Sequence, residues 1–326
     1  NELPLLLVIS AHDREENWYN ICSQYSKYFK VEQTSWSRIR LCSLSDDKYP
    51  TISLYPEEDP INEIQKTKRI NIKPTLVLVR NLCRSIGGRL GINPDYRNIL
   101  YGFYHSNTPL INDLDTLIAE IEKPIMYGRL KKIKDEVGFK KFPLISQYYY
   151  PESGEIVNTP STPFVLKVGY PHAGYGKIRV FDNDEVEDLA SIIAINNTYS
   201  AAEPLIDSEY ELRIVFIAPS YYRVHKRTSM NWKVNFGMTN ESEDCEMQPR
   251  WKYWCDLIHK YYPGMLVFDI DALVDKKGNE YILEVNGSTQ GFTPEHCDED
   301  LAHLRDLVVR KMEILTGMNI LDDSND

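Results

Sequence analysis

Two pairs of oxygen-bearing side chains lie close together near the C-terminal end of the sequence. Asp269 and Asp271 are two residues apart, and so are Glu284 and Asn286. Because alternate residues of a β-strand point to the same face, each pair shares one face if both segments are strands. Carboxylate and amide oxygens at this spacing can bind a hard divalent cation.

The segment between the two pairs predicts how they face each other. Residues 275–280, Asp-Lys-Lys-Gly-Asn-Glu, are typical of a tight hairpin turn whose glycine supplies the required backbone freedom. A turn centred on the Lys-Gly dipeptide places Asp271 opposite Glu284 and Asp269 opposite Asn286. All four side chains then lie on one face of the hairpin.

Such a face is electrostatically unfavourable without a counter-charge. Two carboxylates about 4 Å apart repel each other by about 4 kcal/mol at an effective dielectric constant of about 20. A Mg²⁺ or Ca²⁺ ion removes this repulsion, and we predict a metal site formed by Asp271, Glu284 and Asn286. The alternative is a solvated hairpin face without a ligand, but the apolar neighbours in VFDIDALV and YILEV favour a buried hairpin.

Residues 164–180, FVLKVGYPHAGYGKIRV, combine a basic strand end with a glycine-rich stretch. Lys167 ends an apolar run, and Gly169, Gly174 and Gly176 follow before a β-type pattern returns. Glycines let backbone N–H groups approach phosphate oxygens and let a loop fold over a ligand. The segment is not a Walker A motif, and an ordinary hairpin loop is the alternative interpretation.

The other basic residues are ambiguous when each is taken alone. Lys123 precedes a proline and suits the start of a helix, whereas Arg213, Arg227 and Lys233 suit solvated strands. Their order is more informative. Lys123, the glycine-rich loop, the segment AAEPLID at 201–207, Arg227 and the acidic hairpin follow one another along the chain. This order resembles the layout of ATP-grasp proteins, in which two α+β subdomains hold ATP between them.

The composition is that of a globular protein with two or three packed subdomains. The chain has 326 residues, of which 42% are hydrophobic, and it carries 37 basic and 48 acidic residues. The net charge of −11 argues against a nucleic-acid partner, because binding to the nucleic-acid backbone needs many lysine and arginine contacts. The apolar run at 3–9 is too short for a transmembrane segment. Six widely spaced cysteines indicate reduced thiols in the cytoplasm.

The order of elements predicts an α/β fold in two parts. The first part, residues 1–112, is expected to be a small, doubly wound, Rossmann-like domain with strands at 5–10, 75–79 and 108–113 and helices at 14–29 and 95–107. No G-x-G-x-x-G follows the first strand, so a dinucleotide motif is absent. The second part, residues 113–326, is expected to be an ATP-grasp domain, with a lid subdomain at roughly 140–203 and a C-terminal metal-binding subdomain at roughly 204–326.

Helices and strands alternate in the second part. We predict helices at 113–121, 124–137, 184–195, 249–260 and 298–315. We predict strands within 141–154, at both ends of 165–179, within 199–217 and at 221–228, and a polar, acidic loop near 238–248.

Several segments resemble the central ATP-binding domain of the synapsins, and they run almost from end to end of the chain. They are KVEQ (30–33), DYRN (95–98), KKFPLISQYYYP (140–151), GYPHAGYGK (169–177), YSAAEPLID (199–207), RTSMNWKVNFG (227–237) and ILEVNGS (282–288).

This resemblance implies a set of contacts to ATP. Phosphate contacts are implied for Lys123, Lys167, Arg213, Arg227 and Lys233, the last only when its polar loop becomes ordered. The loop that closes over the phosphates would supply Gly169, His172, Gly174, Tyr175, Gly176 and Lys177. Glu203, Pro204 and Leu205 would meet the adenine edge, and Glu211 would face the ribose. The metal ligands would be those predicted from the hairpin.

Two positions of the hairpin depart from the synapsin pattern. Synapsins usually have an apolar residue in place of Asn286 and a glutamate in place of Asp271, whereas ATP-grasp ligases favour the Glu-x-Asn pattern seen here. A neutral amide oxygen can complete an octahedral Mg²⁺ shell. The pattern therefore favours Mg-ATP. It argues against applying to this chain a preference for Ca²⁺ inferred from the resemblance to synapsins.

The resemblance favours one function and leaves another open. It implies a cytoplasmic ATP-binding protein on presynaptic vesicles that forms dimers or tetramers, contacts vesicle phospholipid and the cytoskeleton, and regulates vesicle clustering and neurotransmitter release. The alternative is an ATP-grasp ligase that makes an acylphosphate from a carboxylate and passes it to an amine, chemistry that needs no nucleophilic side chain. Arg80, Ser85 and Arg97 are candidates for its carboxylate pocket, with fold or interface roles as the alternative.

Overall fold

The computed structural model has a mixed α/β fold, and it describes residues 2–11, 16–55, 70–84, 94–158, 161–170, 176–196, 198–228 and 241–321. Within these ranges the strands form four sheets. The α/β class predicted from the sequence is confirmed.

The N-terminal part contains a parallel sheet and a small antiparallel sheet. Its elements are β1 (Leu5–Ile9), α1 (Trp18–Ile21), β2 (Lys30–Thr34), β3 (Ile39–Cys42), β4 (Thr51–Leu54), β5 (Ile70–Ile72), β6 (Leu76–Val79), α2 (Arg97–His105) and β7 (Leu110–Ile111). The parallel sheet has the order β2-β1-β6-β7, and the small sheet, which the sequence did not predict, has the order β3-β4-β5.

The parallel sheet is apolar on both faces. All residues of β1 and β6 are buried, as expected for strands covered on both sides. Leu6 and Leu78 face a core shared with the C-terminal part of the chain, whereas Leu7 and Val79 face a second core under α2. The first of these cores is continuous with the C-terminal sheets, so the two parts pack as one body.

The helix predicted at 14–29 is wrong. Residues 12–15 lie outside the described ranges, and the chain then forms the short α1, a 3₁₀ turn at Ser23–Tyr25 and strand β2 from Lys30. The apolar residues at 18, 22, 25 and 29 are nevertheless buried, as their spacing predicted. Asparagine, serine and tyrosine between them are weak helix formers, so tight turns replace a continuous helix.

The C-terminal part forms a lid sheet and a central sheet. Its elements are α3 (Leu114–Ile121), α4 (Lys123–Val137), β8 (Tyr148–Tyr150), β9 (Phe164–Val168), β10 (Lys177–Val180), α5 (Asp184–Asn196), β11 (Ser200–Pro204), β12 (Ser208–Ile217), β13 (Tyr221–Thr228), β14 (Glu241–Asp244), α6 (Pro249–Tyr261), β15 (Val267–Asp275), β16 (Glu280–Asn286) and α7 (Cys297–Thr316). The lid sheet has the order β10-β9-β11-β8, and the central sheet has the order β14-β13-β12-β15-β16.

Most of these elements match the predicted ones to within a few residues. Asp113 caps α3 by accepting a hydrogen bond from the backbone N–H of Thr116 (2.9 Å). The predicted loop near 238–248 is wrong in part, because β14 pairs there with β13 as the edge strand of the central sheet. Its acidic sequence is compatible with an edge, where charged side chains reach solvent.

The hairpin of β15 and β16 has the predicted pairing at its functional end. Asp269 lies opposite Asn286 and Asp271 lies opposite Glu284. A bulge at Leu283 shifts the register on the turn side by one residue, so the predicted turn geometry is not reproduced there. The bulge compensates for the longer turn, and the four oxygen-bearing residues keep their common face.

None of the helices in the described ranges has the length and apolar character needed to cross a membrane.

Candidate functional site

The end of the β15–β16 hairpin brings three buried polar groups into contact. Asp269 and Asp271 are each 1% exposed, and Asn286 is 7% exposed. The Asn286 Nδ2 group donates to Asp269 Oδ1 at 3.0 Å and lies 3.4 Å from Asp271 Oδ2. In this orientation Asn286 Oδ1 points away from the aspartates and toward Lys123.

Two arginines from neighbouring strands neutralise Asp271. Arg213 on β12 donates from Nε to Oδ1 (3.0 Å) and from Nη2 to Oδ2 (3.1 Å). Arg227 on β13 donates from Nη2 to Asp271 Oδ1 (2.9 Å) and to Glu211 Oε1 (2.5 Å). Arg213, Arg227 and Glu211 were predicted at the phosphates and the ribose; here they form an ion network around Asp271, and their roles toward ATP stay predictions.

The network holds more carboxyl groups than its arginines can compensate. Burial, together with the Asp271 charge, raises the pKa of Glu211 to about 7, and burial also raises the pKa of Asp269 to about 7. Burial opposes ionisation of Asp271 as well, but Arg213 and Arg227 hold its pKa below the ordinary value. Asp271 is therefore the carboxylate most firmly kept in its charged form.

Three lysines converge on the same region from the lid and from α4. Lys123 Nζ donates to Asn286 Oδ1 at 3.2 Å and lies 3.7 Å from Glu284 Oε2. Lys177 Nζ lies 3.5 Å from Glu284 Oε1, and the Glu284 charge raises the pKa of that lysine. Lys167, directly opposite Lys177 in the lid sheet, pairs with Glu203 at 2.7 Å. Lys167 and Lys177 lie directly opposite each other, and like charges in such a pair repel each other. An anionic ligand between them would relieve this repulsion.

A cavity with about 640 Å³ of empty space, including its open mouth, lies between the lid sheet and the hairpin. Its polar lining includes Lys123, Gln147, Lys167, Lys177, Tyr199 and Glu284, and its apolar lining includes Met126, Tyr127, Leu130, Ala201, Leu283 and Val285. One cavity therefore combines lysines that suit phosphates with apolar side chains that suit a base.

The residues predicted at the adenine edge lie at the end of β11 in the lid sheet and directly after it. Glu203 on β11 is 3% exposed, and Gln147 Nε2 lies 3.4 Å from its Oε2. Pro204 ends β11, and the Leu205 N–H donates to the Pro163 carbonyl at 3.3 Å. Gln147 was not among the predicted site residues, although it lies within the synapsin-like segment at 140–151.

The glycine-rich loop is described only at its two ends. Gly169 and Gly176 have φ values of 67° and 65°, a region that favours glycine, and Val168 N–H donates to the Gly176 carbonyl at 2.9 Å. His172, Gly174 and Tyr175, as well as Lys233 and Ser85, lie outside the described residues.

The segment after β16 is fixed by close packing against α3. A Cβ atom at Gly287 would lie 2.4 Å from Glu120 Oε2, so only glycine fits without movement of that carboxyl. Thr289 donates to Glu120 Oε1, and burial raises the pKa of the Glu120 carboxyl. This packing explains why glycine follows Asn286 directly.

Neither arginine considered for a carboxylate pocket is free of partners. Arg80 is fully buried, its Nη2 lies 2.5 Å from Glu16 Oε1, and its Nη1 donates to the Ser288 carbonyl. Arg97 pairs with Asp95 at 2.6 Å and with Glu122 at 3.2 Å. The sequence could not show these pairings, because Arg80 lies 208 residues from Ser288.

The oxygen groups of Asp271, Glu284 and Asn286 suit a hard divalent cation. Among the residues whose positions are described, no group of three His, Cys, Asp or Glu side chains forms a metal site, so the set is two carboxylates and one amide. Asp269 Oδ2 is buried without a hydrogen bond, which leaves an additional acceptor beside them. Mg²⁺ in nucleotide sites commonly takes one or two carboxylates and completes its shell with phosphate oxygens and water, so this donor set fits.

Solved structures have the same fold, among them the ATP-grasp ligase PsnB, which matches with a TM-score of 0.62 at 13% identity, covering 96% of this chain and all of that one. The D-alanyl-alanine synthetase A of Vibrio cholerae matches with a TM-score of 0.60 at 12% identity, covering 95% of this chain and 98% of that one. The VanG D-Ala:D-Ser ligase of Enterococcus faecalis matches with a TM-score of 0.60 at 13% identity, covering 96% of this chain and all of that one. The predicted ATP-grasp fold is confirmed.

Sequence comparison identifies the family. The chain is 26% identical to Synapsin of Drosophila melanogaster over 307 residues, which are 89% of this chain and 29% of that protein. It therefore spans less than a third of the length of this relative. The family model described as the synapsin ATP-binding domain matches residues 112–314. The chain belongs to the synapsin family and contains its ATP-binding domain.

Proposed function

We propose that this protein binds ATP together with a divalent cation in the cavity between the lid sheet and the hairpin, and that it acts as a nucleotide-responsive scaffold on synaptic vesicles. The observation that carries the proposal is the convergence of Lys123, Lys167, Lys177 and Glu284 on one cavity. Asn286, which accepts a hydrogen bond from Lys123, and Asp271, which lies 3.4 Å from Asn286 Nδ2, are beside it.

Electrostatics makes the nucleotide and the cation depend on each other. Lys123 and Lys177 lie beside Glu284, and Lys167 pairs with Glu203. A triphosphate that takes over these lysines leaves the carboxylate of Glu284 without its partners and adds negative charge beside it. A bound cation supplies the missing positive charge between the phosphates and the carboxylates.

Asn286 gives a reason to prefer Mg²⁺ over Ca²⁺. Its neutral oxygen adds a ligand without adding charge, which suits the small octahedral ion with a shell shared among protein, phosphates and water. Asp271, held in its charged form by Arg213 and Arg227, and Glu284 would be the two carboxylate ligands.

Calorimetric titration of the purified protein with ATP tests the binding proposal. In the presence of Mg²⁺ we expect saturable binding that weakens at least about tenfold in EDTA. Lys167→Ala should weaken binding by about tenfold or more, since a charge-assisted contact contributes about 1.5–3 kcal/mol. Lys252→Ala, at an exposed lysine paired with Asp256, is the matched control and should leave binding unchanged.

Absence of ATP binding with either Mg²⁺ or Ca²⁺ would contradict the proposal. The scaffold role is tested separately, by sedimentation of the protein with phosphatidylcholine–phosphatidylserine vesicles and by measurement of its oligomeric state, each with and without Mg-ATP. An effect of Mg-ATP on vesicle clustering or on self-association supports the role. Identical behaviour in both conditions argues against it.

A carboxylate–amine ligase is the second candidate, and the geometry around Asn286 favours it. Asn286 contacts both Lys123 and the aspartates, and Arg213 and Arg227 add two buried cations beside Asp271. Such cations can stabilise the negative charge of phosphoryl transfer. We would measure ADP release across a panel of carboxylates and amines. Turnover that is lost in Asn286→Ala supports the ligase, whereas tight ATP binding without turnover rejects it.

A further inference from the structure

Glu122 lies immediately before Lys123 and is contacted from three parts of the fold. Arg84, in the segment after β6, donates from Nη1 to Glu122 Oε1 at 3.0 Å, and Arg97 at the start of α2 donates to the same oxygen at 3.2 Å. Tyr199, at the edge of the lid sheet, donates from its hydroxyl to Glu122 Oε2 at 3.2 Å. One carboxylate thus joins the N-terminal part, helix α4 and the lid.

The same arginine also contacts the glycine-rich segment. The Arg84 guanidinium lies 3.5 Å from the centre of the Tyr170 ring, a distance at which a cation and an aromatic face attract each other. Tyr170 follows Gly169, whose N–H donates to the Tyr199 carbonyl at 2.8 Å. Arg84 and Tyr199 are therefore linked twice, through Glu122 and through the first residues of the glycine-rich segment.

The contacts among Arg84, Glu122 and Tyr199, here called the junction, are partly buried. The side chains of Arg84 and Glu122 are 23% and 20% exposed, so solvent screens their interaction less than that of a surface pair. Burial and the neighbouring Glu122 charge both raise the pKa of Tyr199, which keeps its hydroxyl as a donor. Lys123 and Tyr199 both line the nucleotide cavity, so movement of the junction changes the cavity wall.

We propose that Arg84, Glu122 and Tyr199 form a latch that positions Lys123 and the backbone at Gly169 and Tyr170 for the triphosphate and couples the lid sheet to the N-terminal sheet. The three are positioning residues, because they act through Lys123 and the backbone at Gly169. The proposal rests on the ATP-binding function proposed above. Its consequence is that a change in the N-terminal part alters nucleotide affinity.

The chain offers a matched control for Arg84. Arg250 on α6 also combines a carboxylate with an aromatic ring, since its Nη2 lies 2.8 Å from Glu280 Oε1 and its guanidinium lies 4.9 Å from the centre of the Trp251 ring. It lies outside the cavity lining. Arg84→Ala and Arg250→Ala therefore remove the same kinds of contact, and only the first belongs to the junction.

Two measurements on the full chain test the latch. Hydrogen exchange without nucleotide should show faster exchange of the Val168 and Gly169 amides in Arg84→Ala and Tyr199→Phe than in the wild type. Calorimetry should show Mg-ATP affinity lowered about fivefold or more by Arg84→Ala and by Glu122→Ala, with partial recovery in Glu122→Gln. Arg250→Ala should match the wild type in both measurements.

The outcomes separate the latch from the function on which it rests. Unchanged amide exchange and unchanged affinity in Arg84→Ala overturn the latch while leaving ATP binding intact. A loss of affinity in Glu122→Ala without any effect of Arg84→Ala or Tyr199→Phe also overturns it, since Glu122 would then act on Lys123 alone. If the wild type binds no ATP, the proposed function fails, and faster exchange in Arg84→Ala still tests the coupling. Tyr199→Phe removes a single hydroxyl and guards against misfolding of the larger changes.

Discussion

The parallel sheet and the central sheet use their two faces in different ways. In the parallel sheet, β1 and β6 bury apolar residues on both faces. In the central sheet, Ile214, Ile270 and Val285 face a core, while their neighbours Arg213, Asp271 and Glu284 on the other face are charged. The first sheet contributes mainly to stability, whereas the second also holds a group of charged side chains.

Buried charges are a poor source of stability. An ion pair removed from water gives up hydration that its mutual attraction only partly replaces, so apolar side chains of similar size would stabilise the sheet at least as well. Deleting one partner is costly in any case, because the other is left buried and unpaired. We therefore expect the network of Arg213, Arg227 and Asp271 to contribute more to binding than to folding. This contrast predicts which substitutions separate stability from nucleotide affinity.

The largest effect is expected from Asp271→Ala in the central sheet. The change leaves Arg213 and Arg227 without their shared acceptor, and we expect the free energy of unfolding to fall by about 3–5 kcal/mol. Cation-dependent ATP binding should be lost as well. Urea unfolding and calorimetry measure the two effects. Asp271→Asn is the control, since it keeps the side-chain shape and should lose cation-dependent binding with a smaller loss of stability.

The opposite pattern is expected from Leu7→Ala in the parallel sheet. Leu7 is fully buried in the core under α2, and deletion of its side chain should lower the free energy of unfolding by about 2–5 kcal/mol. The Kd for Mg-ATP should stay within about twofold of the wild type under conditions where the variant is folded. A large loss of affinity in this variant would show that the two sheets do not divide stability and binding in this way.

The sequence predicted the parts of the site that depend on short-range pattern. The alternation of Asp269, Asp271, Glu284 and Asn286 predicted their common face. Their predicted pairing is correct because the bulge at Leu283, which was not predicted, offsets the longer turn. The apolar period at 18–29 predicted burial correctly but not the backbone path, since weak helix formers occupy the positions between.

Contacts between segments that are distant along the chain could not be predicted from the sequence. Arg84 meets Tyr170, and Arg80 meets Ser288, through packing of strands and loops that no local pattern specifies. Arg213 and Arg227 suited solvated strands or phosphate contacts equally well, and only the fold shows that they surround Asp271. Glu122 was not predicted to have a role, because only its position before Lys123 distinguishes it in the sequence. These contacts follow no periodicity along the chain and depend on the folded topology.

The smallest expected effect is a pH dependence of stability that arises in the central sheet. His225 on β13 is 1% exposed, and burial, with nearby arginines, lowers its pKa to about 3. The unfolded chain binds a proton at this residue below about pH 6.5 and the folded chain does not, so the contribution of His225 to stability falls as the pH falls through that range, by at most about 1.4 kcal/mol per pH unit.

His225→Gln tests this dependence against the parallel sheet. Arg223 Nη1 lies 3.0 Å from His225 Nδ1, and the glutamine oxygen can replace that acceptor without titrating. The unfolding free energy of the wild type should therefore lose its advantage over His225→Gln as the pH is lowered from 7 to 5, measured by urea unfolding at each pH. The difference between the wild type and Leu7→Ala should stay constant over the same range. A constant difference for both variants would mean that the buried imidazole does not couple folding to protons.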